Sequence, residues 1–386
     1  MENVYLDYAA TTYVKDEVLE AMMPYYKEHF GNPSSMYEMG RYAKNALDRA
    51  REDAARCVNA KFNNEIYFTA CGTESDNWAL LGVMQANKAK GKHLITTAVE
   101  HHAIMDTAAY LQKQGYDVTF LPVDEYGMVS ASAVRAAIRE DTVLVSVVYA
   151  NNEVGTINPI AEIGKVTREA GVLLHTDAVQ AAGHLPLDVQ ADNVDLLSIS
   201  AHKFYGPKGI GMLYVRNGVK IERFMHGGAQ ERRKRAGTEN VPEIIGLAKA
   251  FTIATEQLEE TNRRLTELRD YMISEIMQKI SNVKLNGHPT KRLCNNVNIS
   301  LEFIEAEASL LCLDMAGISC SSGSACASGS LESSHVLLGM GIPPEIAKGA
   351  LRFTMGETTT KEQVDYTVNE LVELTERLRK ISPLSK

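Results

Sequence analysis

Nothing in this sequence reads as a membrane span, a metal finger or a charged tail. No window approaches the ~18 consecutive apolar residues that crossing a bilayer requires. The six cysteines, Cys57, Cys71, Cys294, Cys312, Cys320 and Cys326, form no CxxC pair and no metal-ligand spacing, so neither a disulfide framework nor zinc accounts for them. Repeats, low-complexity tails and an obvious linker are missing too. The net charge of −9 is spread without long blocks of one sign, which argues against a nucleic acid or an anionic membrane as the main partner. The opening MENVYLDYAATT has neither the basic start nor the apolar stretch of a signal peptide. A cytoplasmic protein is expected, in which a reducing environment keeps the thiols free.

What is present is a globular chain. Its 386 residues, 45% of them hydrophobic, allow one large domain plus a smaller one. From about residue 65 to 216, apolar runs alternate with amphipathic stretches. EIYF, HLITT, DVTFL, TVLVSVVY, GVLLHT and VDLLSIS read as strands, and the alternation is α/β order. Continuous apolar runs such as VLVSVVY suit strands buried on both faces, so a mostly parallel sheet covered by helices is expected. GIGMLYV follows VDLLSIS after only a short loop and reads as antiparallel. A helical pattern over about 242–280 exceeds ordinary globular length and could bridge two domains. A shorter α/β region follows, with NNVNISL and GALRFTMG as strands and a terminal helix.

Ligands of open parallel sheets sit at the carboxyl ends of the strands. After EIYF, small residues lead into a helix opening with Thr73, Glu74 and Ser75, a start that could bind phosphate and that equally suits ordinary capping. Asn151 and Asn152 follow TVLVSVVY, where Asn-rich turns often bond only their own backbone. Asp177 and Gln180 follow GVLLHT, with a simple N-cap as the plainer reading of Asp177. After VDLLSIS come Ser200, His202 and Lys203, on a turn kept tight by Gly206, Pro207 and Gly209. A lysine there is costly to bury without a purpose, and a desolvated amine can form a Schiff base. GPKGIG matches neither GxGxxG nor a P-loop. A phosphate-binding helix start, an Asp for a pyridinium nitrogen and a Schiff-base lysine are together what pyridoxal phosphate asks of a protein.

The segments YLDYAATT, GNPSS, FTACGTESDN, EHHAI, NNEVG, HTDAVQ, SAHKFYGPKGIG, RAGTENV, SSGSACASGSLE and LRFTMG, in this order along the whole chain, resemble the NifS/IscS-type cysteine desulfurases. The resemblance implies fold type I, that of aspartate aminotransferase: a large pyridoxal-phosphate-binding domain over 14–258 and a small domain from 1–13 plus 259–386, the latter carrying a catalytic-cysteine loop at about 321–335. It also implies roles. Lys203 matches the Schiff-base lysine, Asp177 the partner of the ring nitrogen and Gln180 the donor to the ring hydroxyl. Gly72, Thr73, Ser200 and His202 match phosphate contacts. His101 matches the residue that stacks on the ring and shuttles protons, Asn152 a contact to cofactor and substrate, and Arg352 the clamp on the substrate carboxylate. Cys326 matches the thiol that collects sulfur from L-cysteine, and its Ser/Gly surroundings suit a carrier that swings.

Thr238, in RRKRAGTEN, matches the residue that reaches the cofactor phosphate of the neighbouring subunit, which implies a homodimer with shared sites. Flanking Glu231 and Glu239 argue against reading its four consecutive cations as a nucleic-acid patch. A sulfur-accepting scaffold of the NifU/IscU type is the implied protein partner. Three departures stand out: Cys71 where Ser or a similar small residue is expected, Cys320 six residues before Cys326, and ESSHV where EPSHV is more usual. Cys320 raises a regulatory disulfide or persulfide relay. A selenocysteine lyase, or a sulfur carrier that has lost catalysis, are the rival readings; the intact SAHK disfavours the carrier.

Overall fold

A strand can be apolar along its whole length only if both faces are covered, and the central strands of this protein show that pattern. The computed structural model describes residues 3–322 and 333–382. Within them β1 (Val4–Tyr5) precedes a seven-stranded sheet of β2 (Ile66–Thr69), β3 (His93–Thr97), β4 (Asp117–Leu121), β5 (Thr142–Ser146), β6 (Leu173–Asp177), β7 (Leu196–Ser200) and β8 (Gly211–Val215). Its order is β2-β8-β7-β6-β5-β3-β4, and β8 alone runs antiparallel to its two neighbours, as the short loop before it demands. β3, β5, β7 and β8 are buried at every position.

A smaller antiparallel sheet has the order β12-β10-β9, from β9 (Val283–Leu285), β10 (Asn296–Leu301) and β12 (Ala350–Thr354), and β11 (Ile318–Ser319) pairs in parallel with β1. The N-terminal segment thereby belongs to the small sheet's neighbourhood before it crosses to the large one. An isolated bridge from Asp7 to Thr354 fixes that crossing. Among the described residues no helix is long and apolar enough to cross a membrane.

The long pattern over 242–280 is two helices, Val241–Glu256 and Leu258–Lys279, parted at Gln257. Thr252 and Thr255 turn their hydroxyls back onto the carbonyls of Ala248 and Phe251, at 2.9 and 2.8 Å, a local bond that competes with the helix and bends it. The two halves serve different cores. Leu247 and Phe251 pack with the large sheet, whereas Leu265, Met272 and Ile276 pack with Ile299, Phe353 and Leu371 around the small one.

Two local devices hold the segments that reach the cavity at the strand ends. Cys71 adopts extended backbone and caps the helix Gly72–Ala86, its Sγ accepting from the Glu74 N–H at 3.4 Å. Further along, Glu231, Arg232 and Arg233 all have positive φ, unusual for residues with side chains. Arg51 meets Glu231 through two hydrogen bonds of 2.6 and 2.8 Å, with side chains only 7% and 3% exposed, and so anchors that strained turn.

Glu231→Ala leaves the Arg51 guanidinium buried without its anion, and is expected to cost roughly 3–5 kcal/mol in urea unfolding; a loss below about 1 kcal/mol would show that the pair is not the anchor. Since a thiol accepts weakly, Cys71→Ser should hold stability or raise it by up to about 1 kcal/mol. A lower melting temperature for that variant would contradict the capping role.

Candidate active site

The carboxyl ends of β2, β5, β6 and β7 open onto one cavity of about 320 Å³, a size that suits a small cofactor. Gly72, Thr73, His101, Asn152, Asp177, Gln180, Ser200, His202, Lys203 and Arg352 all line it. The sequence placed these residues on separate strand ends and loops; the sheet brings them together.

At one end lies the start of the Gly72–Ala86 helix. A Cβ on Gly72 would stand 2.7 Å from Val179 Cγ2, so only glycine lets the helix start sit against the loop after β6. The unpaired N–H groups of such a start, with Ser200 and His202 close by, form an anion cup. Burial, and after it the charges of Lys203 and Lys208, push the His202 imidazole down to about 4, so it is neutral at ordinary pH. Its Nδ1 meets the Thr11 hydroxyl at 3.1 Å. Glu74 is occupied elsewhere: its carboxylate accepts from the Ala70 N–H at 2.7 Å and pairs with Arg235 at 2.8 Å.

At the centre, Asp177 ends β6 with Oδ1 accepting from the Val179 N–H at 2.9 Å. Burial raises its carboxyl above the ordinary carboxylate range, and the Val179 N–H and the nearby charge of Lys203 offset only part of that rise. Lys203 donates to the carbonyls of Ala9 and Ala10 at 2.7 and 2.8 Å, and Gln180 Nε2 donates to the same Ala9 carbonyl at 3.0 Å. His101 caps the helix His102–Lys113, its Nδ1 accepting from the Ala103 N–H at 3.1 Å, so the proton of a neutral ring sits on Nε2.

At the other end, Arg352 on β12 reaches across from the small sheet. Its Nη1 donates to the Asn152 carbonyl at 2.9 Å and its Nη2 pairs with Asp7 Oδ1 at 2.9 Å, while Nε is buried with no hydrogen-bond partner among the described residues. Cys320 stands nearby, and burial, with the charge of Asp7 adding to it, pushes its thiol up to about 12.

Thr238 does not line this cavity; it lines a second one of about 220 Å³, with Thr69, Ala70 and Arg235. Cys326 lies outside the described residues. Conversely, sequence reasoning missed Asp76, Ala9 and Ala10. Asp76 lines the main cavity, almost wholly buried, with Oδ1 lacking a hydrogen-bond partner. Asp76, His101 and Asp177 offer ligand atoms within 4.8 Å of one another. Its signal was there, one helical turn beyond Thr73 and on the same face. Backbone acceptors such as Ala9 and Ala10 leave no signal in side-chain chemistry. The volume, the glycine-lined anion cup and the orphaned carboxyl oxygen all fit pyridoxal phosphate.

The model of the class-V aminotransferase family matches residues 4–367. The chain is 56% identical to a cysteine desulfurase IscS of Methanosarcina thermophila, over 99% of this chain and 94% of that protein, and 53% identical to one of Clostridium botulinum, over 99% and 97%. Among solved structures it resembles a NifS-like protein, 38% identical with a TM-score of 0.91 over 97% of this chain and 100% of that one. It also resembles an apo cysteine desulfurase from Thermococcus onnurineus NA1, 26% identical with a TM-score of 0.87 over 97% and 95%. The chain therefore belongs to the class-V aminotransferase family, and within it to the pyridoxal-phosphate-dependent cysteine desulfurases of NifS/IscS type.

Proposed function

We propose that this protein takes sulfur from L-cysteine onto the thiol of Cys326 and releases L-alanine, with each cavity residue in the role its chemistry suits. The observation that carries the reading is the convergence of Lys203, Asp177, Gln180, His101 and Arg352 on one cavity. Gly72, Thr73, Ser200 and His202 would hold the cofactor phosphate, Asp177 the ring nitrogen and Gln180 the ring hydroxyl; Asn152 would contact cofactor and substrate. When bound, the cofactor supplies a sink for the electron pair left at the substrate α-carbon.

The protein's own groups do the rest. Arg352 receives the substrate carboxylate, held from behind by Asp7 and the Asn152 carbonyl so that its fork cannot swing. The Lys203 amine, steadied by two neutral carbonyls, takes the α-proton once it is released from the cofactor. His101 exchanges a proton with the thiols through Nε2, because Nδ1 is engaged by the backbone. The Cys326 thiolate attacks the substrate sulfur; the S–S bond forms as the Cβ–S bond breaks, the electron pair stays on the substrate carbon, and that carbon is protonated to give alanine. Cys320 is a poor substitute, since a thiol held near 12 is scarcely ionised at neutral pH.

The same reading divides the chain into a large unit over 14–258 and a small unit of 1–13 with 259–386. It makes the protein a cytoplasmic homodimer that passes its persulfide sulfur to a scaffold of NifU/IscU type. The seat of Thr238 apart from the Lys203 cavity supports a role toward a partner subunit. Exposed Met23, Tyr26, Phe30, Met36, Tyr37 and Tyr42 give a self-associating surface ample apolar area.

Borohydride reduction and peptide mapping should place the pyridoxyl group on Lys203, and on no other lysine. Cys326→Ala should keep the cofactor and bind cysteine, yet lose alanine and sulfide production together; wild-type turnover in this variant, or added sulfur found by mass spectrometry on Cys320 alone, would refute the transfer step. Arg352→Lys retains charge without the planar fork, and is expected to raise KM for cysteine at least tenfold, about 1.4 kcal/mol, while the spectrum of bound cofactor stays unchanged. An unaltered KM would remove Arg352 from the substrate site.

A further inference from the structure

Asp76 sits in the Gly72–Ala86 helix, facing the cavity from beneath the end of β6. It is 1% exposed, and its Oδ1 has no hydrogen-bond partner among the described residues. Asp177 and His101 offer atoms within 4.8 Å of its carboxyl. Two carboxylates this close, cut off from water, repel strongly unless something neutralises one of them. The nearest base cannot do so. His175 Nε2 lies 3.6 Å from Asp76 Oδ1, but burial pushes that imidazole down to about 3, and its ring nitrogens already meet the hydroxyls of Ser146 and Ser198 at 2.9 and 3.0 Å.

The remaining groups around the pair discriminate between its members. The Lys203 amine places positive charge beside Asp177 and the Val179 N–H donates to its carboxylate, both favouring its ionised form. Asp76 instead faces the acids Asp177 and Glu100 and the thiol of Cys71, all of which disfavour a second charge and outweigh the opposing hydrogen bond from Ser198. Burial, and then the charge of Asp177, hold the Asp76 carboxyl well above the usual carboxylate range. The asymmetry resembles any buried acid pair that shares one proton, with environment deciding which member keeps it.

We propose that Asp76 and Asp177 hold a single negative charge between them, with Asp76 the member that keeps its proton, so that Asp177 stays ionised toward the ring nitrogen of the cofactor. Asp76 is then a positioning residue acting through Asp177. The shared charge follows from the protein alone; its use at the ring nitrogen rests on the role given to Asp177 above.

The test uses stability as a proton counter. An unfolded Asp76 ionises above about pH 4. A folded Asp76 that keeps its proton binds one more than the unfolded chain, so this group favours folding at low pH and its contribution is lost as pH rises. Urea unfolding of the full-length, cofactor-stripped protein between pH 5 and 8 should therefore show the unfolding constant of the wild type, divided by that of Asp76→Asn, growing up to about tenfold per pH unit. A ratio independent of pH means that folded Asp76 is ionised, and overturns the proposal. Should Asp76→Asn fail to fold, aspartate-specific carbon-13 labelling of the wild type carries the test. A protonated-acid carbonyl stretch that shifts with the label at neutral pH supports the proposal; its absence overturns it. Glu100 and Glu153 are silent in that experiment because they carry no label. In the cofactor-loaded protein, Asp177→Asn should alter the absorption band of the bound cofactor. If it does not, the ring-nitrogen half of the proposal falls while the stability ratio still judges the shared charge.

Discussion

A lysine amine half-buried at the end of a parallel sheet needs hydrogen-bond acceptors that do not neutralise it, and this protein draws them from residues 9 and 10. The carbonyls of Ala9 and Ala10 hold Lys203, and Ala9 also receives Gln180. Other parts of the site hang from the same segment. Asp7 pairs with Arg352, while Thr12 ties the segment to the Lys203 turn through its N–H and hydroxyl on the His202 carbonyl, at 2.9 and 3.1 Å. One strap, turning at Asp7–Ala10, thus sets the separation between the group that would grip the substrate carboxylate and the group that would take its α-proton.

That strap explains why the site can hold so much buried charge. Lys203 is held by two carbonyls, whose dipoles solvate a cation without adding a full countercharge, and Arg352 by the Asn152 carbonyl together with the Asp7 carboxylate. On the other side, Glu100 and Glu153 are raised by burial to about 8 and about 7, so near neutrality they carry much less than full charge. Glu153 meets the Ser334 hydroxyl, which in turn caps the helix His335–Gly339. The acids thus serve as hydrogen-bonding groups as much as charges, and the cavity keeps its field for the ligand.

How far the sequence revealed this depended on the kind of signal. HLITT and DVTFL became β3 and β4 over the residues read as strands, because short stretches rich in β-branched and aromatic residues between turns favour strands. The helix over 242–280 was read as one piece because Thr252 and Thr255 carry no mark of which carbonyl their hydroxyls will take. Cys71 looked like a departure from pattern, yet its thiol fills the capping role a serine would. Asp76 escaped notice because a carboxylate early in a helix is ordinary. Only the packing of that helix under β6 brings it beside Asp177, and no local pattern encodes such a meeting.

The strap has a temporal side as well. β1 has no partner until β11 exists, and Asp7 cannot meet Arg352 until nearly the whole polypeptide has left the ribosome. Contacts spanning 194 and 345 residues close long loops, which is slow, and the rest of the large sheet makes its own strand pairings without them. The two grips of the strap thus have different prerequisites: its hold on Lys203 needs only the first two hundred or so residues, whereas its hold on Arg352 waits for β12.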